Sequence, residues 1–175
     1  MITFEQTEYE FGKLTGLPIK KVFRSFSLYL LIHFGEMHLW RMKNSKTGEM
    51  IEGEDGDFTL TLEGQWIYKS ADGQEIKPKD PQLIEDEEEC VRYGKRLDAQ
   101  IEKFKFNYIT EILFNDNDEY IKFVFNDHSS ITVFHDEVGM LILNNTTGNY
   151  SIFFDPKEGI FYKELTEVKN PASQK

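Results

Sequence analysis

Apolar and polar residues alternate over short stretches along most of this chain, the period of a half-buried β-strand. "SLYLLIHF" (27–34) and "MHLWRM" (37–42) are two such runs, and Gly35 and Glu36 between them fit a tight hairpin turn. In "DFTLTLEGQWIYKSADGQEI", Phe58, Leu60 and Leu62 alternate before a turn expected near Glu63 and Gly64. Trp66 and Tyr68 resume the pattern up to a second turn at Asp72 and Gly73. "NYITEILFNDNDEYIKFVF" reads as a strand, an Asn/Asp turn and a second strand with Ile121, Phe123 and Phe125 on one face. "MLILNNTTGNYSIFF" and "DPKEGIFYKEL" extend the meander, with Asp155, Pro156 and Gly159 marking a turn. The terminal "VKNPASQK" is expected to fray.

One segment departs from this period. In "DPQLIEDEEECVRYG", Asp80 fits an N-cap, Pro81 the first helical position and Gly94 the residue just past the end. Leu83, Ile84, Cys90 and Val91 fall on one side, and the early acids suit the positive end of a helix dipole. The spacing predicts a short helix over 81–93. "GKLTGLPIKKVF" (12–23) also aligns with "GKRLDAQIEKFK" (94–105), matching Gly, Lys, Ile and Lys without a gap. The expected fold is therefore α+β and predominantly antiparallel β. It is a single β-rich domain over 1–168, with the weak repeat pointing to two similar meander halves, 1–80 and 94–168. The helix lies between them in sequence, and 169–175 form a frayed tail.

"FNDHSSITVFHDE" (125–137) gathers residue types that hydrolase and metal sites use. Asn126, Asp127, His128 and Ser129 suit a turn, because their side chains bond their own backbone or tolerate a left-handed conformation. His128 then sits at a turn tip and His135 at the far end of the next strand, about 23 Å away at ~3.3 Å per residue. That distance forbids a shared metal or a catalytic dyad, and a hairpin is the expected reading. His33 and His38 flank the early turn, but no Cys pair or helical two-His spacing supports a metal there. The chain has no G-x-S-x-G elbow, P-loop, H-E-x-x-H or G-x-G-x-x-G. Cys90 follows five acids, whose field disfavours a thiolate. No enzyme, cofactor or metal site is expected.

The chain is 175 residues long with net charge −11, from 20 basic and 31 acidic residues. Such a balance repels phosphate backbones, so nucleic acid is not an expected partner. Aromatics at 14% argue for a folded globule. No run approaches the ~18 apolar residues of a membrane span. The acidic start "MITFEQTEYEF" lacks the basic region of a secretory signal, and the single Cys forms no internal disulfide. A cytoplasmic location is expected. The acids are clustered: Glu49, Glu52, Glu54, Asp55 and Asp57 in one expected loop, Glu85, Asp86, Glu87, Glu88 and Glu89 on the helix, and Asp116, Asp118 and Glu119 at a hairpin turn. Each cluster reads either as a solvated edge or as a surface recruiting a basic protein. Glu87 lies close to the apolar stripe, between Ile84 and Val91. Trp40 and Trp66 are the candidate aromatic anchors, although core burial suits both.

Taken with "GLPIKKV…LYLLIHFGEMHLW" and "IKFVFNDHSSITVF", the small, acidic, β-rich chain without catalytic motifs resembles the immunity proteins of bacterial contact-dependent and polymorphic toxin systems. The resemblance covers most of the chain and carries over no individual residue. It implies a non-catalytic protein that binds one cognate toxin, often a nuclease, and blocks its active site or its substrate's approach. Two other readings stay open: a small-molecule-binding or enzymatic β-domain, which needs an apolar pocket with convergent polar groups, and a structural homo-oligomeric module joined through an apolar sheet edge.

Overall fold

The computed structural model describes residues 1–25, 29–62, 66–77, 86–115, 120–134, 141–155, 160–165 and 170–171. The chain runs through a short helix α1 (Phe4–Gly12), then β1 (Ile19–Ser25), β2 (Tyr29–Lys43), β3 (Met50–Leu62), β4 (Trp66–Lys69) and β5 (Glu75–Ile76). Helix α2 (Glu87–Ile101) and a tight turn, Glu102–Phe104, follow. Then come β6 (Ile109–Asn115), β7 (Tyr120–Phe125), β8 (Ser130–Phe134), β9 (Leu141–Asn145), β10 (Tyr150–Asp155), β11 (Ile160–Leu165) and β12 (Asn170–Pro171). The fold is α+β and mostly antiparallel β, in two sheets.

The first sheet has the order β1-β2-β3-β9-β10-β11, with β12 also on β2; the second has the order β5-β4-β8-β7-β6. Each sheet draws strands from both sides of α2, through the β3–β9 and β4–β8 pairings. Two independent meander halves are therefore not what the chain builds. The aligned segments differ as well: 12–23 covers the end of α1, turns and β1, whereas 94–105 is helix and tight turn. The matched residues do not occupy equivalent elements: Gly12 and Lys13 close α1 and Ile19 and Lys21 lie on β1, whereas their counterparts Gly94, Lys95, Ile101 and Lys103 lie on α2 or the turn after it.

Alternation decides which strand face is buried. Leu30, Ile32, Phe34, Leu60, Leu62, Leu143 and Ile152 of the first sheet and Trp66, Ile121, Phe123, Phe125 and Ile131 of the second belong to one core. Phe11 of α1 bridges the sheets, with its ring 6.2 Å from Phe123 and 6.0 Å from Phe161. Burying such a side chain stabilises by roughly 1.5–3 kcal/mol.

The helices differ from expectation. Helix α1 was not expected, yet Thr3 and Gln6 close a reciprocal capping box at its start. Helix α2 begins later and ends later than 81–93. Its N-cap is Asp86, whose carboxylate accepts the Glu88 and Glu89 N–H groups at 2.8 and 3.3 Å. It passes through Gly94 and reaches Ile101, because its buried stripe is Leu97 and Ile101, continued by Phe104. Val91 is exposed. Asp80, Pro81, Leu83 and Ile84 lie outside the described residues. Within the segment expected to fray, Asn170 and Pro171 pair with Arg41 and Trp40 of β2. Among the described residues no helix is long and apolar enough to cross a membrane.

Candidate functional site

Gly35 and Glu36 do not turn the chain. They form a bulge inside β2, where the register moves from Phe34↔Phe58 to Met37↔Gly56. Gly35 sits at φ +78°, a left-handed conformation that places two residues opposite Asp57 alone. The Asp57 carboxylate holds the bulge by accepting the Glu36 N–H at 2.8 Å and bonding His38 Nε2 at 2.6 Å. β2 and β3 thus run on together as two long strands. The acid-rich segment 49–57, expected as a loop, is mostly strand because each residue from 50 to 56 finds a partner on β2 or flanks the bulge.

Beyond the bulge these strands leave the sheet body. β1 pairs with β2 only as far as Phe34, and β9 pairs with β3 only as far as Phe58. Residues 37–43 and 50–56 continue as a two-stranded ribbon, touched along one edge by β12. A two-stranded ribbon is marginal in water without further packing. This one carries apolar side chains on both faces: Leu39 and Met50, 51% and 61% exposed, on one, and Met42 and Ile51 on the other. On the latter face Trp40 lies across Gly53, where an added Cβ would stand 2.3 Å from the indole Cζ2.

Charge is divided by strand. Past the bulge, residues 37–43 of β2 supply Arg41 and Lys43, while β3 supplies Glu52, Glu54, Asp55 and Asp57; Glu36, in the bulge itself, is the one acid on the β2 side. Arg41 pairs with Glu52 at 2.7 Å and Lys21 with Glu54 at 3.4 Å. All four side chains are about half exposed, so solvent screens these pairs and each is worth little, about 0–1 kcal/mol. Glu49, in the connecting loop, accepts the Thr47 hydroxyl at 3.3 Å.

The other candidates scatter. Asp86, Glu88 and Glu89 are exposed at the start of α2, with Glu87 its first residue. Glu85, Asp116, Asp118, Glu119 and His135 lie outside the described residues. Trp66 is only 1% exposed and belongs to the core, so it is no surface anchor. His128 occupies the expected hairpin turn at φ +66°. Beside it Asp127 accepts the Ser129 N–H and hydroxyl at 2.9 and 2.5 Å and the Asn107 amide at 2.8 Å. Burial opposes the charge on Asp127, but these donors outweigh it and hold the carboxyl below its ordinary range. These bonds hold the turn in its shape. His33 is buried on the near side of the bulge, its Nδ1 accepting the Gly56 N–H at 3.1 Å, and does not face His38 across a turn. Among the described residues no group of three His, Cys, Asp or Glu is placed to hold a metal ion.

Two features escaped the sequence pattern. Phe106 is 80% exposed in a left-handed conformation, φ +71°, fixed by its N–H to Ile19 O at 3.0 Å. Pro18, the residue before Ile19, accepts the Gly35 N–H at 3.0 Å, so the Phe106 turn stands next to the base of the ribbon. The second feature is a buried carboxylate. Glu10 of α1 meets Lys13 Nζ at 2.5 Å, Lys163 Nζ at 2.8 Å and the Tyr150 hydroxyl, which also accepts the Asn145 amide at 2.8 Å. Burial opposes ionisation, but the two ammonium groups and the hydroxyl outweigh it and lower the Glu10 pKa.

Comparison with protein-family models, curated proteins and solved structures gives no match to this chain.

Proposed function

We propose that this chain is a non-catalytic binding protein that neutralises a cognate basic toxin, a nuclease in the case its resemblance to immunity proteins favours. It does so by covering the toxin's active site or substrate-binding surface. The observation that carries this reading is the ribbon of residues 37–56, which exposes apolar side chains on both faces and acids along one strand. Exposed apolar anchors supply contact energy, and flanking acids steer a basic partner and speed its capture. Phe106 adds an exposed aromatic anchor beside the ribbon's base, its backbone bonded to Ile19.

The test takes as partner the toxin-like domain sought in the neighbouring reading frame and reads association at about 0.1 M and 1 M salt, between which the Debye length falls from about 10 to about 3 Å. Wild-type association should slow strongly with salt. Glu52→Lys with Glu54→Lys should slow it about tenfold at low salt and change dissociation much less. Association that ignores both salt and these reversals would remove the electrostatic basis of the proposal.

A further inference from the structure

We infer that the outer edge of β3, residues 50–54, is a strand-addition site for an extended, basic segment of the partner. This rests on the reading above and specifies how that surface binds. An antiparallel strand directs alternate N–H and C=O groups to each of its two sides. Along 50–54 one side is taken by β2; among the described residues no strand pairs with the other, because β9 stops at Phe58. The opposite edge of the same ribbon already accepts an extended segment, Asn170–Pro171, from this chain's own end. The ribbon's backbone is therefore laid out to take a strand from either side.

Charge selects the occupant. A second copy added edge to edge would bring Glu52 and Glu54 against the same acids of its twin, and like charges directly opposite are destabilising. Each copy also carries a net charge of −11. A basic strand meets the reverse situation. Residues opposite Glu52 and Glu54 share a face with Leu39 and Met50; there Lys or Arg side chains would meet the two acids from the outer edge, while the acids' present partners Arg41 and Lys21, at 2.7 and 3.4 Å, approach from the inner side. Residues on the other face lie beside Ile51 and Gly53, where the Trp40 indole covers the glycine and offers an apolar, π-rich surface. The ligand expected is an extended segment that alternates basic and apolar residues, held by backbone hydrogen bonds and selected by side chains, as in strand addition generally.

The probe is a short peptide of alternating Lys and Val, with two controls: its fully N-methylated form, which keeps the charge and loses every backbone donor, and an alternating Glu and Val peptide. Binding is followed by NMR together with amide hydrogen exchange. The Lys peptide should bind and slow exchange at amides within 50–54, N-methylation should weaken binding about tenfold or more, and the Glu peptide should not bind. The variant Glu52→Lys with Glu54→Lys should weaken the Lys peptide comparably; if it fails to fold, the N-methyl comparison on the natural chain decides alone. Equal binding of the N-methylated peptide, or protection elsewhere than 50–54, overturns strand addition while leaving an anionic capture surface intact. Absence of binding by the Lys peptide also overturns it and makes the acids of β3 a guard against edge-to-edge association. Salt-independent capture of the toxin is the separate result that overturns the broader reading.

Discussion

Gly53 and Trp40 show what a single residue decides. The indole occupies the space a Cβ would need, so Gly53→Ala must displace the ring. Overpacking of this kind costs about 1–3 kcal/mol. The expected outcome is a changed tryptophan emission with the core Trp66 undisturbed; an unaltered spectrum would show that the indole does not rest on the glycine. Neither residue announces the pair in the sequence, because their approach depends on a register set by the bulge at Gly35. The Asn126 to Ser129 turn was legible for the opposite reason: its side chains bond within a few residues of themselves. Glu10 was invisible because its partners Tyr150 and Lys163 are far along the chain, and no local pattern connects them.

At the level of elements, Gly94 is the clearest revision. It lies inside α2, with no left-handed backbone to require a glycine, and an added Cβ would meet only the far end of the Arg24 side chain, at 2.9 Å. Gly94→Ala should therefore stabilise by about 0.5–1 kcal/mol through helix propensity, read as a raised Tm. A fall in Tm would mean that the Arg24 contact with Asp98, at 3.0 Å, cannot adjust. Helix α1 is tied to the first sheet by the Glu10 cluster, and its pH dependence follows from the sign of the shift. A carboxylate with a folded-state pKa below the ordinary 4.5 contributes stability above that value and loses it as pH falls through the folded one. Lys13, raised above 10.5 because the Glu10 and Tyr150 contacts outweigh its burial, contributes below that value and loses it only in alkali. Acid titration of stability should show a carboxylate step below pH ~4.5 that Glu10→Gln removes, with a loss of about 1–3 kcal/mol at neutral pH. An identical acid profile in the variant would reassign the step to other carboxylates. Strands with clean alternation, such as β7, were legible from the pattern. The outer half of β3 was not, since a run of acids and glycines has the composition of a loop and becomes strand only through pairing with β2.

Across the whole molecule, antiparallel β was evident in the sequence, but the order of the strands was not, because pairing partners are chosen by burial of a shared core and not by adjacency. That order has a consequence for synthesis. β3 and β4 are made early, yet their partners β9 and β8 come only after α2. Long-range pairing of this kind folds slowly and leaves strand edges uncovered in the meantime. A nascent chain halted before β9 should therefore be protease-sensitive through β2 and β3, and resistance should appear abruptly once residues 141–165 have left the ribosome; gradual protection during elongation would contradict the interleaved order. The acids of β3 sit just ahead of that waiting edge: Glu52, Glu54, Asp55 and Asp57 precede the 58–62 stretch that β9 covers, and on a crowded polysome, where identical half-made chains sit side by side, their like charges oppose the pairing of one such edge with another.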